Sequence, residues 1–248
     1  MNRAINTSVA LLGLGVVAAA ASADTIAYTS FEEQPVFTVQ YVDTLDAGID
    51  HALLDNPGEP YVNWTYNGGE LGFSSYYRNT RNDVGLTDGD FVGTTDFVGV
   101  VGAYTDGEQG FEISDSDGLM TTTLDTVSLA GYMNLSVCVD FFAQETGWEE
   151  DDYLRIWVTV DGSTDLDLIN TTGSDIDDLG IEGAWITSQI SLDGYSTAQL
   201  HFELESNSSS EALYIDNILF KGTPIPTPGS ILLLGLGGAV LGRRRRNR

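Results

Sequence analysis

The sequence predicts an all-β protein built as an antiparallel β-sandwich, and three observations carry that expectation. Apolar and polar residues alternate with a period of two along several segments, while helical periodicity is nearly absent. Clusters of Gly, Asp, Asn and Ser separate those segments, as turn residues do. The strand candidates also follow one another without interleaved helices, which points to antiparallel pairing rather than βαβ units.

Taken in order, the chain opens with a segment that reads as an export signal. Residues 1–23 combine a basic Arg3, an apolar run over 9–20 and the small-x-small triplet Ala21-Ser22-Ala23. A run this short suits a cleaved secretory signal peptide better than a membrane span or a buried helix. The mature domain, residues 24–221, then offers strands at 25–31 and 36–42, followed by a long loop over 43–67 with two prolines and little apolar rhythm. Further strands are expected at 91–101, 119–127 and 135–142. Residues 153–160 give the clearest case, because Leu154, Ile156, Val158 and Val160 fall on one face while Arg155 and Trp157 fall on the other. Asp161-Gly162 is a turn pair that returns the chain as a hairpin through 166–169. Strands at 184–190, 200–205 and 213–220 complete the set. Cys138 lies inside an apolar run and reads as a small buried residue.

The tail, residues 222–248, has its own design. Pro224, Pro226, Thr227, Pro228 and Gly229 form a stiff spacer hostile to helix, since proline fixes φ and lacks a donor. Residues 231–241 are apolar and Gly-rich, and would form a hydrophobic helix of roughly 17 Å, short of the roughly 30 Å hydrocarbon core. Arg243, Arg244, Arg245 and Arg246 follow and resist translocation. Pro-x-Pro, short apolar segment and arginine cluster together resemble the bacterial PEP-CTERM sorting signals, here with a Pro-Thr-Pro start. That resemblance implies an exported, envelope-associated or released protein handled by an exosortase-type sorting machinery, with transient membrane insertion of the tail. An ordinary membrane anchor is the rival. A GPI signal would end in its apolar stretch rather than in arginines.

Composition narrows the function. Of 248 residues, 37 are acidic and ten basic, a net charge of −27. Residues 24–221 hold all 37 acids against only Arg78, Arg81, Arg155 and Lys221, a net of −33. Such a surface repels nucleic acid and anionic membranes. It suits either a solvated surface in saline water or carboxylates converging on calcium, and the two are compatible. The single Cys138 excludes an internal disulfide and a multi-cysteine zinc site. His51 and His201 are too few for a tri-histidine zinc centre and leave little for a Ser-His-Asp hydrolase. No phosphate loop or dinucleotide fingerprint is present. Glycosidases need only two carboxylates, so acidity does not exclude one, but a Glu-x-Asp-x-x-Glu strand is missing. Glu203-x-Glu205 has same-face spacing, as any strand would give it.

The domain's ends carry a second resemblance. Ser30-Phe31-Glu32 early, and Ala212-Leu213-Tyr214-Ile215-Asp216-Asn217-Ile218 late, resemble the jelly-roll modules of the galactose-binding-like and carbohydrate-binding β-sandwiches, with MAM-type domains as cousins. The rhythm of Trp148, Asp152, Leu154-Arg155-Ile156, Asp161-Gly162 and Trp185-Ile186 between them is similar. The resemblance implies a jelly-roll-like sandwich and a structural calcium clamped by Glu32 and Asp216. Glu149-Glu150-Asp151-Asp152 is a second cation candidate, with Asp151 and Asp152 as its ligands. Asp115-x-Asp117-Gly118 opens like a calcium loop but lacks the remaining ligands. Trp64, Tyr66, Tyr76, Tyr77, Trp148, Trp157 and Trp185 are the rings available for a sugar, with Trp157 and Arg155 as the best exposed pair. The expectation is a non-catalytic, calcium-stabilised envelope module associating with extracellular polysaccharide. A purely structural surface protein and a glycan-active enzyme are the alternatives.

Overall fold

The computed structural model describes residues 23–86, 90–145 and 147–226. Residues 1–22 of the export signal, Thr227, Pro228, Gly229, the apolar tail segment and Arg243 to Arg246 lie outside the described residues. Pro226 is described and exposed.

Two antiparallel sheets face one another, which is the predicted sandwich. The first has the order β12 (Ile186–Ser191), β9 (Tyr132–Ala143), β14 (Ala212–Pro224), β6 (Gly110–Ser114) and β5 (Phe91–Thr95), with β1 (Asp24–Thr29) also pairing β14. The second runs β11 (Thr164–Asn170), β10 (Tyr153–Val160), β13 (Thr197–Ser206), β7 (Gly118–Leu124), β4 (Phe73–Arg78) and β2 (His51–Ala52). Two short strands are attached to it, β3 (Asn63–Trp64) on β4 and β8 (Val127–Ser128) on β13. The loop expected at 43–67 holds only β2 and β3.

Alternation fixes what each sheet buries. Leu154, Ile156, Val158 and Val160 of β10 meet Val137, Val139 and Phe141 of β9 and Leu213, Ile215 and Phe220 of β14 in one interlayer core. At its centre Phe31, Phe73, Phe111 and Phe202 pack with ring centroids 5.3–5.5 Å apart. Each such fully buried ring contributes on the order of 2–3 kcal/mol. Cys138 is buried, yet it points away from this core, since Val137 and Val139 take the inward positions.

Several boundaries differ from expectation. Residues 36–42 are not a strand: Val39 and Val42 are about half exposed, and Tyr41 alone plugs inward, its hydroxyl donating to Leu54 O at 2.9 Å. The strand expected over 91–101 stops at Thr95. β4 and β6 were hidden in the sequence. In β4 a serine takes an inward position, its Ser75 Oγ lying 2.8 Å from Thr122 Oγ1. In β6 every residue is buried, so no alternation shows.

Carboxylates do much of the turn building in this lysine-poor chain. Phe31 sits in the left-handed region at φ 62°, a conformation that costs a bulky residue about 1–2 kcal/mol. Buried Glu70 offsets that strain by accepting from Ser30 N, Ser30 Oγ, Glu32 N and Glu33 N. Asp161 likewise joins two turns by accepting from Ser196 N and Thr197 N.

Candidate functional site: a cleft on the outer face of the first sheet

On β6, Phe111 and Ile113 enter the core, so Glu112 and Ser114 face outward. They contribute to a cleft of about 550 Å³ lined further by Phe37–Gln40, Phe91, Asp96–Gly99 and Ser209. Glu112 is 7% exposed. Its ladder partner Tyr214 donates a hydroxyl at 3.0 Å, and Ser114 Oγ donates at 3.4 Å. Burial pushes the Glu112 carboxyl up to about 7 against the lowering effect of both donors. Phe97 is 52% exposed beside it. The Phe97 backbone is held by Phe97 N donating to Thr95 Oγ1 and by Tyr104 OH donating to Phe97 O. An open ring, apolar walls and a few convergent polar groups are the chemistry of a small-molecule or sugar cleft.

The loop from 96 to 109 that supplies this ring is pinned to the sheet in two ways. Tyr104, Phe142, Tyr214 and Trp185 form a separate apolar cluster on the outer face, with Trp185 Nε1 donating to Ala103 O at 2.8 Å. Two carboxylates then hold its far end. Asp216 Oδ2 accepts from Thr105 N, Thr105 Oγ1 and Asp106 N, and Oδ1 accepts from Asn217 N. Glu32 Oε1 accepts from Glu108 N and Gln109 N.

These contacts bring the two residues of the expected calcium clamp to the same loop. Glu32 and Asp216 both meet it as amide acceptors. Asp216 is fully buried with four donors on its two oxygens, three on Oδ2 and one on Oδ1. Among the described residues, neither belongs to a group of three or more acidic, histidine or cysteine side chains close enough to share an ion. Burial pushes Asp216 up to about 6.

The Trp157 and Arg155 pair is corrected. Both do lie on the face opposite Leu154 and Ile156, but Trp157 is only 8% exposed. Its ring stacks on cross-strand His201 at 4.8 Å and 12°, and the Arg155 guanidinium lies 4.4 Å from its centroid. Arg155 is engaged by Asp167 at 2.7 Å and Asp165 at 3.6 Å. A sugar would have to displace this stack. Burial pushes His201 down to about 4, with Arg155 adding to the effect. Trp148 and Tyr77 are core residues, whereas Tyr66 is open at 55% exposure.

Acidic residues gather at one end of the sandwich around Arg81. Its Nη2 lies 2.5 Å from Asp152 Oδ1, with Glu205 at 3.6 Å and Asp151 at 3.9 Å. Of the two predicted ligands there, Asp151 stays exposed, while Asp152 is buried and groups with Glu149 and Glu211. Asp115 and Asp117 group with Asp90. Sequence reading missed Glu112, Phe97 and Glu211. A carboxylate between Phe111 and Ile113 was the one available signal, since an acid at an alternate position of an apolar strand faces the sheet's other side.

No family model matches the chain, and no curated protein matches it. Among solved structures it is similar to a family 11 carbohydrate-binding module from Clostridium thermocellum in complex with a β-1,3-1,4-mixed-linked tetrasaccharide. The identity is 15%, over 71% of this chain and 98% of that one, with a TM-score of 0.33. It is also similar to a Stig cyclase from Fischerella sp. TAU, at 13% identity over 83% of this chain and 100% of that one, TM-score 0.38. A third is a pair of modules of a Clostridium thermocellum endo-1,4-β-D-xylanase complexed with xylohexaose. There the identity is 11% over 55% of this chain, which spans 25% of that structure, TM-score 0.32. Carbohydrate-binding modules and enzymes thus both stand among the structures it is similar to.

Proposed function

We propose that this chain is an exported, non-catalytic module of a bacterial envelope or matrix that holds extracellular polysaccharide in the cleft over β5 and β6. The observation that supports the reading is the pairing of the open Phe97 ring with Glu112, Asp96, Gln40 and Ser114 in one cleft of about 550 Å³. An aromatic face takes the apolar side of a sugar ring, and the carboxylates and amide take its hydroxyls. In this reading the leader delivers the domain across the membrane, and the PEP-CTERM-like tail engages an exosortase-type machinery.

The test is retention on a panel of insoluble and soluble polysaccharides, wild type against Phe97→Ala. Binding to at least one polymer that the variant loses, at unchanged melting temperature, is the expected result. Equal retention of both proteins, or none by either, would overturn the assignment and leave a purely structural surface protein.

Glu112 favours one second reading. A carboxyl raised to about 7 in a cleft is what a general acid requires. Release of reducing ends from the same panel, abolished in Glu112→Gln, would establish a glycan-active enzyme instead.

A further inference from the structure

We infer a hard-cation site, independent of the cleft, at the end of the sandwich where Glu149, Asp152 and Glu211 converge beneath Ser206. One carboxylate oxygen from each of the three residues lies within 4.8 Å of the others. Their positions follow from the strands. Leu154 and Leu213 point into the core, so Asp152 and Glu211, each two residues earlier, point into the same interlayer space. Both are nearly sealed from solvent, at 1% and 2% exposure, while Glu149 is exposed at the mouth.

Ser206 is the independent observation. It is fully buried, and its Oγ has no hydrogen-bond partner. Alternation with core residues Phe202 and Leu204 turns its side chain inward. The ladder places Tyr153 opposite Glu205, so Asp152 stands opposite Ser206 as the two chains leave the sheet. The hydroxyl therefore faces the space that Asp152 and Glu211 enter. A buried hydroxyl without a partner is unfavourable by about 1–3 kcal/mol, and such groups are rare without a missing ligand or water.

Among the described residues one cation reaches the group, Arg81 on Asp152 Oδ1, while Asp152 Oδ2 and Glu211 Oε2 each accept a single backbone amide, from Glu149 N and Asn207 N. Three carboxylates and a hydroxyl, with no imidazole or thiolate, are an oxygen-only donor set. Calcium takes six to eight oxygens with flexible geometry, so carbonyls or water would complete the shell. Bound there, the ion would tie the segment before β10 to both ends of the turn that carries the chain from β13 in the second sheet to β14 in the first.

The experiment is terbium luminescence on the purified full-length protein, excited through tryptophan, because Trp148 directly precedes Glu149. TbCl₃ should give sensitised emission that CaCl₂ displaces and MgCl₂ at equal ionic strength does not. Glu211→Gln and Ser206→Ala should each weaken calcium displacement about tenfold or more, the scale on which partners of metal sites act. Asp115→Asn, in the other acidic group, should leave it unchanged. Absence of emission, or calcium displacement unaltered by both variants, would overturn the site. Should Glu211→Gln not fold, Ser206→Ala carries the decision, read also as a reduced calcium-induced rise in melting temperature. Polysaccharide retention is measured in parallel with and without chelator, so that failure of the cation site and failure of the cleft are separately visible.

Discussion

Glu112→Gln tests the electrostatics of the cleft. A carboxyl held near 4.5 in the unfolded chain rises to about 7 in the folded protein, because burial disfavours its charged form. The folded state therefore binds this proton more tightly, and stability falls as pH rises through the window from 4.5 to 7. Below that window both states are protonated and the group is nearly silent. Above it the buried anion is unfavourable by roughly 3 kcal/mol, since each tenfold change in proton affinity is worth about 1.4 kcal/mol. Glutamine keeps an oxygen to accept from Tyr214 OH and Ser114 Oγ, and it does not ionise. The variant should match wild type at pH 4.5 and gain at pH 8. For a domain near 200 residues that gain is on the order of 10 °C in melting temperature. Other carboxyls titrate in this range, so the quantity to measure is variant minus wild type, by scanning calorimetry at both pH values. A difference that is the same at pH 4.5 and pH 8 would refute the argument, since it would mean that Glu112 ionises freely in the folded protein.

His201→Gln should act in the opposite sense. A histidine whose folded pKa is lowered to about 4 resists protonation on folding, so wild-type stability is lost as pH falls below 6.5, by roughly 3 kcal/mol, and the variant should flatten that acid limb in the same melts. Asp216→Ala strips the acceptor from Thr105 N, Asp106 N and Asn217 N, each worth about 1–3 kcal/mol when left unpaired; hydrogen exchange should show residues 105–109 opening faster, and unchanged exchange there would remove Asp216 as their anchor. Trp157→Ala should destabilise the second sheet by about 3 kcal/mol while polysaccharide retention survives, whereas loss of retention at constant stability would return Trp157 to the binding face.

Legibility in the sequence tracks how one-sided each strand is. Strand β10 was readable to the residue because its Leu, Ile and Val positions bury one face while Arg155 and Thr159 stay outside. The strand β6 was not readable, because both of its faces are covered and a period-two signal needs one wet face. For the same reason the cleft escaped notice. Glu112 looks like one more acid among 37, and only the packing of Tyr214 and the 96–109 loop distinguishes it. Glu32 and Asp216 were singled out by their places at the two ends of the domain, and only the structure shows both accepting backbone amides of one loop.

By itself, then, the sequence determined the class of the domain, its alternating core and its extreme acidity, since these follow from local periodicity and composition. It also supplied the export and sorting readings, which rest on short contiguous segments. Only the tertiary structure decided which acids meet. Glu149 and Asp152 lie more than fifty residues from Glu211, and Glu112 more than a hundred from Tyr214, so their neighbours are set by which strands pair and how two sheets stack. The burial that shifts a carboxyl or seals a tryptophan is likewise a property of that stacking, because the free energy of a charge depends on the water excluded around it rather than on its place in the chain.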